Sequence, residues 1–299
     1  GAVQSIGAGV AEDFLDERPT PAEAAGGAGL WWVYQPLRTP AQAVDLSIDP
    51  GTLPRGVAQA VADAGVDVNP DLLYMWFRLS GQDRQIKAGS YELEPGITPH
   101  RLLRKLARGE EALQAVVLVE GWNFRQVRAA LLKEEQLKPE TRGLDDAALM
   151  ALLGRQGVHP EGRFFPDTYT YSRGSSDVAL LRRAMHAMDR RLEAAWAQRT
   201  PDAMAKTPAE ALILASIVEK ETGKPTDRPL VSSVFNNRLR VGMPLQTDPT
   251  VIYGLGEAFD GNLRKKDLQT DTPWNTYTRP GLPPTPIAMP GKASLLAAV

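Results

Sequence analysis

Two hydrophobic patterns occur in the first third of the chain. Residues 43–48 switch between apolar and polar side chains, which predicts a half-buried strand, and residues 86–93 predict a second strand. Between them, apolar residues recur at helical spacing over 57–64 and again after Asn69-Pro70, where Asn suits a helix cap and Pro the first turn. The order strand, helix, helix, strand predicts a small packed βααβ module.

The residues after this module predict further short elements. A helix is expected from Thr98 to Gly109, a short buried strand over 115–119 and another helix near 125–132. Residues 160–169 have the composition of a loop. The change in pattern predicts a domain boundary near residues 109–115.

The second half of the chain is predicted to be mainly helical. Ser176 suits the cap of a long helix, and further helices are expected to begin at Thr207-Pro208 and at Asp227. From Gly242 onward Gly, Pro, Thr and Asn are frequent, which predicts a loop-rich tail. We therefore expect an α+β protein, with the βααβ module followed by a larger, mixed helical and loop-rich domain.

The helix over 209–222 is the most informative segment. Residues 211–218 are apolar apart from Ser216, and a helix that is apolar on every side is buried on every side. Glu219 and Glu221 follow, and helix geometry puts them about 200° apart. They cannot form the facing carboxyl pair of a glycoside hydrolase, which needs a separation of about 5–9.5 Å. A single Glu at the end of a buried helix can act as a general acid, whereas the plain alternative is a solvated helix end.

Two later clusters are rich in small polar and aromatic side chains. Residues 245–254 carry uncharged polar groups beside Asp248, and residues 274–286 combine Trp274 and Tyr277 with several prolines. Such groups suit sugar hydroxyls or peptide amides. They equally suit an ordinary turn and a surface loop held by its aromatic residues.

Composition narrows the classes of function. The 299 residues suggest about two domains, and 43% hydrophobic and 23% charged residues are usual for a globular protein. The net charge of -2 argues against nucleic acid as the main partner. Cysteine is absent, which excludes disulfides, cysteine nucleophiles and cysteine zinc sites. The three histidines lie far apart, so we expect no histidine-rich metal site.

The N-terminal region leaves two interpretations open. No stretch reaches the ~20 apolar residues of a membrane span, yet residues 24–37 are uncharged and contain Trp31, Trp32 and Tyr34. Residues 1–40 are therefore either a flexible Gly/Ala-rich leader or the remnant of a membrane anchor.

Several motifs follow one another in a specific order. They occupy residues 216–222, 234–239, 245–254, 275–277 and 281–284, preceded by segments at 119–121 and 161–169. In this order they closely resemble the endolytic murein transglycosylase family, also called YceG-like or MltG, from about residue 43 to the end.

The resemblance implies a domain organisation and a location. It implies a LysM-like module over 41–110 and a catalytic transglycosylase domain over 111–299, on a single-pass inner-membrane protein that faces the periplasm. The catalytic domain of family members continues further, so the domain is expected to be truncated at its C-terminus here.

The resemblance also implies a reaction. Family members cleave the β-1,4 bond between N-acetylmuramic acid (MurNAc) and N-acetylglucosamine (GlcNAc) in nascent peptidoglycan. One Glu acts as acid and then as base, leaves 1,6-anhydro-MurNAc ends and needs no cofactor. This activity limits glycan strand length, and cell-wall synthases are candidate partners.

The motif match assigns roles to individual residues. Glu219 is the expected catalytic residue, with Glu221 as the fallback. The expected substrate-binding residues are Gln246, Thr247, Asp248, Asn275, Tyr277, Glu161 and Tyr169.

Two alternatives remain at this stage. The first is a peptidoglycan hydrolase that pairs Glu219 with Glu161 or Asp248, which product analysis distinguishes. The second is a non-catalytic glycan-binding protein in which the LysM-like part binds, which turnover on purified sacculi distinguishes.

Overall fold

The computed structural model describes residues 21–299, with side chains from residue 26 onward. The chain divides between Ala112 and Leu113 into two compact units, here called unit 1 and unit 2. Residues 1–20 of the expected leader lie outside the described part, and helix α1 spans Pro21–Val33. Within the described residues, no helix combines the length and the apolar character that crossing a bilayer requires.

Unit 1 contains the expected strand, helix, helix, strand order. Its elements are β1 (Val44–Ile48), α2 (Pro54–Asp63), α3 (Pro70–Leu79), β2 (Gly89–Leu93) and α4 (Pro99–Arg108). The two strands pair antiparallel, with Leu46 opposite Tyr91. The βααβ order is confirmed, whereas its specific likeness to LysM stays a prediction.

Local chemistry explains where these helices begin and end. The Asn69 side chain accepts hydrogen bonds from the N–H groups of Asp71 and Leu72, and Pro70 occupies the first turn of α3. Gly109 ends α4 in the left-handed conformation, which costs glycine little. The helices and strands enclose one core that includes Leu73, Phe77 and Tyr91.

Unit 2 is mainly helical with one small sheet. Its elements are β3 (Leu113–Val117), α5 (Phe124–Lys133), α6 (Asp146–Leu152), β4 (Thr168–Ser172), α7 (Asp177–Trp196), α8 (Pro208–Glu221), α9 (Arg228–Arg240), α10 (Asp248–Leu255), α11 (Lys265–Gln269) and α12 (Lys292–Ala297). Strands β3 and β4 pair antiparallel, with Val116 opposite Tyr169. The structure is α+β, as predicted.

Three local predictions need correction. The segment 160–169 is not entirely loop, because its last two residues begin β4. The strand expected to be buried over 115–119 lies at 113–117, and only Val116 in it is buried. Residues 248–255 form α10 instead of a turn, because Pro249 in the first turn of a helix is as favourable as in a turn.

Helix α8 lies at the centre of one of two hydrophobic cores in unit 2. Leu212, Leu214, Ala215, Ile217 and Val218 are fully buried there, which confirms the helix buried on every side. Helices α7, α9 and α12 pack against it. This packing fixes the direction in which the last turn of α8 presents Glu219.

Candidate active site

Glu219 lies in the last turn of α8 with its side chain only 6% exposed. Its Oε2 atom accepts hydrogen bonds from the Gly291 N–H at 3.0 Å and from the Ser294 hydroxyl at 2.6 Å. Its Oε1 atom lies 3.8 Å from a terminal nitrogen of Arg228 and accepts no hydrogen bond from the described residues. Oε2 is therefore held by two hydrogen bonds, whereas Oε1 faces the Arg228 guanidinium without accepting a hydrogen bond from the described residues.

A second carboxylate, Glu120, lies beside the same segment. A Cβ atom built on Gly291 would collide with the Glu120 carboxylate, so position 291 leaves no room for a side chain. Sequence reasoning did not select Glu120, although it belongs to the motif at 119–121. Ser294, Gly291 and Arg228 carried no signal at all, because they reach Glu219 only through the fold.

Glu221 points to different neighbours. It is exposed, and its Oε2 atom accepts a hydrogen bond from the Thr247 hydroxyl at 2.7 Å. This agrees with the prediction that Glu219 and Glu221 cannot serve the same site.

Part of the expected substrate-binding set, Gln246, Thr247, Asp248 and Tyr277, lies at the Glu221 end of α8. Thr247 precedes α10, and the Asp248 carboxylate accepts the Tyr277 hydroxyl at 2.6 Å. Burial, followed by the effects of Asp248 and Glu221, raises the pKa of Tyr277 to about 12, which keeps its hydroxyl a donor. Gln246 has a positive φ of 51°, a conformation that a residue with a side chain adopts only at a cost of about 1–3 kcal/mol.

Asn275 does not have the exposed position that a groove residue needs. It is fully buried, and its amide nitrogen donates to the carbonyls of Leu268 and Thr270. Its side-chain oxygen accepts the N–H groups of Tyr277 and Thr278. All its polar capacity is used inside its own loop, so Asn275 positions Tyr277 and does not face an open groove.

Glu161 lies in the wall of a cleft and is only 3% exposed. Its two oxygens accept the N–H of Phe124, the first residue of α5, at 3.0 and 3.2 Å, and the Tyr253 hydroxyl donates at 3.0 Å. Burial raises the pKa of Glu161 to about 7, although these hydrogen bonds oppose the shift. This carboxyl can therefore gain or lose a proton near neutral pH.

The cleft has a volume of about 550 Å³. The rings of Tyr253 and Trp274 line it edge to face, with centroids 5.5 Å apart. Gly121 and Lys220 also line the cleft, and both adjoin Glu219. Lys220 is the next residue in the chain, and a Cβ atom built on Gly121 would lie 3.9 Å from the Glu219 Cγ atom. Aromatic faces with a few polar groups form a surface that suits a sugar ring.

Tyr169 lies outside this cleft. It is buried, its hydroxyl donates to the Phe165 carbonyl at 2.7 Å, and its ring lies beneath the Arg183 guanidinium. The site residues expected from sequence thus occupy separate places around unit 2. No three His, Asp or Glu side chains among residues 26–299 are grouped to hold a metal ion.

Comparison with known proteins identifies the family. The model of the YceG-like family matches residues 46–299. The chain belongs to the YceG-like family.

Two relatives of this YceG-like chain are named as endolytic murein transglycosylases. It is 32% identical to the endolytic murein transglycosylase of Bacillus subtilis over 71% of this chain and 63% of that protein. It is 26% identical to the endolytic murein transglycosylase of Streptococcus pneumoniae over 83% of this chain and 50% of that protein. The chain therefore spans about half to two thirds of the length of these relatives.

A crystal structure of a YceG-like protein from Listeria monocytogenes has a similar fold. It is 29% identical, matches with a TM-score of 0.51, and covers 86% of this chain and 90% of that chain. This likeness supports the fold of the YceG-like chain through most of its length.

Proposed function

We propose that this chain is an endolytic lytic transglycosylase of murein. It would cleave the β-1,4 bond between MurNAc and GlcNAc and leave 1,6-anhydro-MurNAc ends, limiting strand length alongside cell-wall synthases. Family membership and the names of its relatives support the class of reaction. The observation that carries the proposal is the Glu219 carboxyl, which is oriented through Oε2 and accepts no hydrogen bond from the described residues at Oε1.

One carboxyl suffices for this reaction. In the proposed first step, Glu219 donates its proton through Oε1 to the glycosidic oxygen, and the bond from that oxygen to C1 of MurNAc breaks. The C6 hydroxyl of the same MurNAc then attacks C1 and returns its proton to Glu219. No water is consumed, and the residue ends in its starting state.

The cleft beside Glu219 is the proposed place for the sugar rings. Tyr253 and Trp274 provide apolar faces, and Glu161 provides a buried polar group that fixes Tyr253. Gln246, Asp248 and Tyr277 are proposed to contact the strand at the Glu221 end of α8. Thr247 is assigned a positioning role, because it is only 3% exposed and its hydroxyl donates to Glu221. Asn275 is assigned a positioning role because its polar atoms are already used.

Product chemistry tests the reaction class. We expect each cleavage of a purified glycan strand to create one new 1,6-anhydro end, and the fragment that carries this end to be one water lighter than its hydrolysis counterpart. The position of Glu120 favours a second candidate function, which is hydrolysis with two carboxylates. The Glu120 carboxylate lies against Gly291, in the segment that holds Glu219. Reducing ends in place of anhydro ends would support that candidate and contradict the transglycosylase.

Ser294→Ala is expected to lower kcat about tenfold. The substitution removes the 2.6 Å hydrogen bond that orients Oε2 of Glu219, and small misplacements of a catalytic group have large effects on rate. Turnover of purified glycan strands measures the effect. Ser294→Thr, which keeps a hydroxyl, is the matched control and should retain more activity than Ser294→Ala. Equal activity of all three proteins would contradict the positioning role.

The proposed activity implies a location outside the cytoplasm, where murein lies. We propose attachment to the inner membrane through an N-terminal anchor, with unit 2 in the periplasm. Protease digestion of spheroplasts should then degrade unit 2 without lysis. Protection of unit 2 until the cells are lysed would contradict this location.

We further propose that the LysM-like module binds glycan weakly and without cleavage. The βααβ order of unit 1 and its own hydrophobic core support this role. A fragment of residues 41–110 should co-sediment with insoluble murein. If it stays in the supernatant, the module serves only as a spacer.

A further inference from the structure

A basic groove runs along the exposed side of α7 and shares no lining residue with the cleft. Arg183, His186 and Arg190 share one helix face, and Arg191 adjoins them. All four side chains are exposed, and the groove has a volume of about 520 Å³. The only carboxylate among its lining residues is Asp167. In a chain with a net charge of -2, this is a local concentration of positive charge.

Two arginines of the groove stack on aromatic rings that also line it. The Arg191 guanidinium lies over the Phe165 ring at 5.3 Å, and the Arg183 guanidinium lies over the Tyr169 ring at 5.9 Å. Stacking occupies the flat face of a guanidinium and leaves the N–H groups at its edge pointing outward. Arg183 uses one of these donors on the Thr170 carbonyl.

Two of the arginines have no acidic partner. Within residues 26–299, neither Arg190 nor Arg191 forms an ion pair, whereas Asp189 on the same helix is paired with Arg155. The edge of a guanidinium matches a carboxylate through two parallel hydrogen bonds. The groove is therefore complementary to a ligand that carries carboxylates.

We infer that the α7 groove binds the carboxylate-bearing peptide stems of the murein strand. This inference rests on the proposed function, because it names a second part of the same substrate. The stems are attached to the sugar that the proposed reaction cleaves, and they carry several carboxylates along a short chain. A compact groove of this size suits a short peptide better than a broad membrane surface.

Chain connectivity brings the groove within reach of the cleft. Glu161 of the cleft and Phe165 of the groove are four residues apart, so their Cα atoms are at most about 14 Å apart. An extended stem of about five residues spans roughly 17 Å. The length of one stem is therefore sufficient to span the distance between the backbone at Glu161 and the backbone at Phe165.

Binding of a free peptide tests the inference without any catalysis. The probe is a fluorescently labelled stem peptide, released from murein by an amidase and followed by anisotropy with the whole chain. The variant Arg190→Glu/Arg191→Glu is expected to bind it roughly tenfold more weakly than the parent. The matched control Arg182→Glu/Arg199→Glu changes the charge equally at exposed positions outside the groove and should bind as the parent does.

Three results would overturn the inference. The first is a parent protein that does not bind the peptide. The second is a control variant that loses as much affinity as the groove variant. The third, from a parallel measurement with vesicles of anionic phospholipid, is a groove variant that loses affinity for the vesicles but not for the peptide. Circular dichroism of both variants confirms that each is folded.

Turnover separates this inference from the proposed function. On peptide-bearing strands the groove variant should show a raised KM with kcat unchanged, and on strands stripped of peptide it should equal the parent. If no strand of either kind is cleaved, the proposed function fails, whereas the peptide-binding result still decides the groove.

Discussion

Glu219→Gln is expected to reduce turnover of murein glycan strands by about 10²–10⁴-fold, the usual contribution of a general acid and base. Gln keeps the shape of the side chain and can still accept from Gly291 and Ser294, but it cannot transfer a proton. It also removes the carboxyl partner of the buried Arg228, whose guanidinium lies 3.8 Å from Oε1, so we expect a lower Tm. Activity is therefore measured well below the Tm of both proteins.

Glu221→Gln is the matched control for this prediction. It changes the same residue type two positions later, where the carboxylate is exposed and, among residues 26–299, accepts only the Thr247 hydroxyl. We expect it to retain most of the activity. If Glu221→Gln abolishes turnover and Glu219→Gln does not, the catalytic assignment passes to Glu221.

The variant Glu161→Gln is expected to gain stability over the parent as the pH rises from 5 to 8. The pKa of Glu161 is raised from 4.5 to about 7, so the unfolded chain releases this proton at lower pH than the folded chain. The free energy of unfolding of the parent therefore falls across this pH window, by about 3 kcal/mol at most. The Gln variant has no such proton to lose.

Calorimetry at several pH values measures this effect as the difference in Tm between variant and parent. Glu221→Gln, which removes an exposed carboxyl, serves as the comparison and should show little change of that difference with pH. A Glu161→Gln difference that stays constant from pH 5 to 8 would contradict a buried, proton-holding carboxyl.

Features set by neighbouring residues were predictable from the sequence. The start of α3 depends on Asn69-Pro70, and the burial of α8 follows from its uninterrupted apolar run. Strand β4 had a signal that the loop interpretation overlooked: Tyr169 and Tyr171 alternate with threonines and are buried, whereas the threonines are exposed.

Features set by distant contacts were not predictable. Nothing near Ser294 in the sequence indicates that its hydroxyl binds a carboxylate 75 residues away. Asn275 has the composition of a sugar-binding residue, but the folded loop consumes its amide. Residue type indicates what chemistry is available, and packing decides which groups remain free to use it.

The order of synthesis gives the Glu219 contacts a consequence in time. Gly291 and Ser294 follow Glu219 by 72 and 75 residues. At about 5–20 residues per second, a ribosome needs roughly 4–15 s to add them. The core of unit 1, which lies between Leu37 and Leu106, is complete in sequence long before then. A growing chain therefore carries a folded N-terminal unit while the Glu219 carboxyl still lacks both donors. Translation that stops before Gly291 leaves that carboxyl without its orienting contacts.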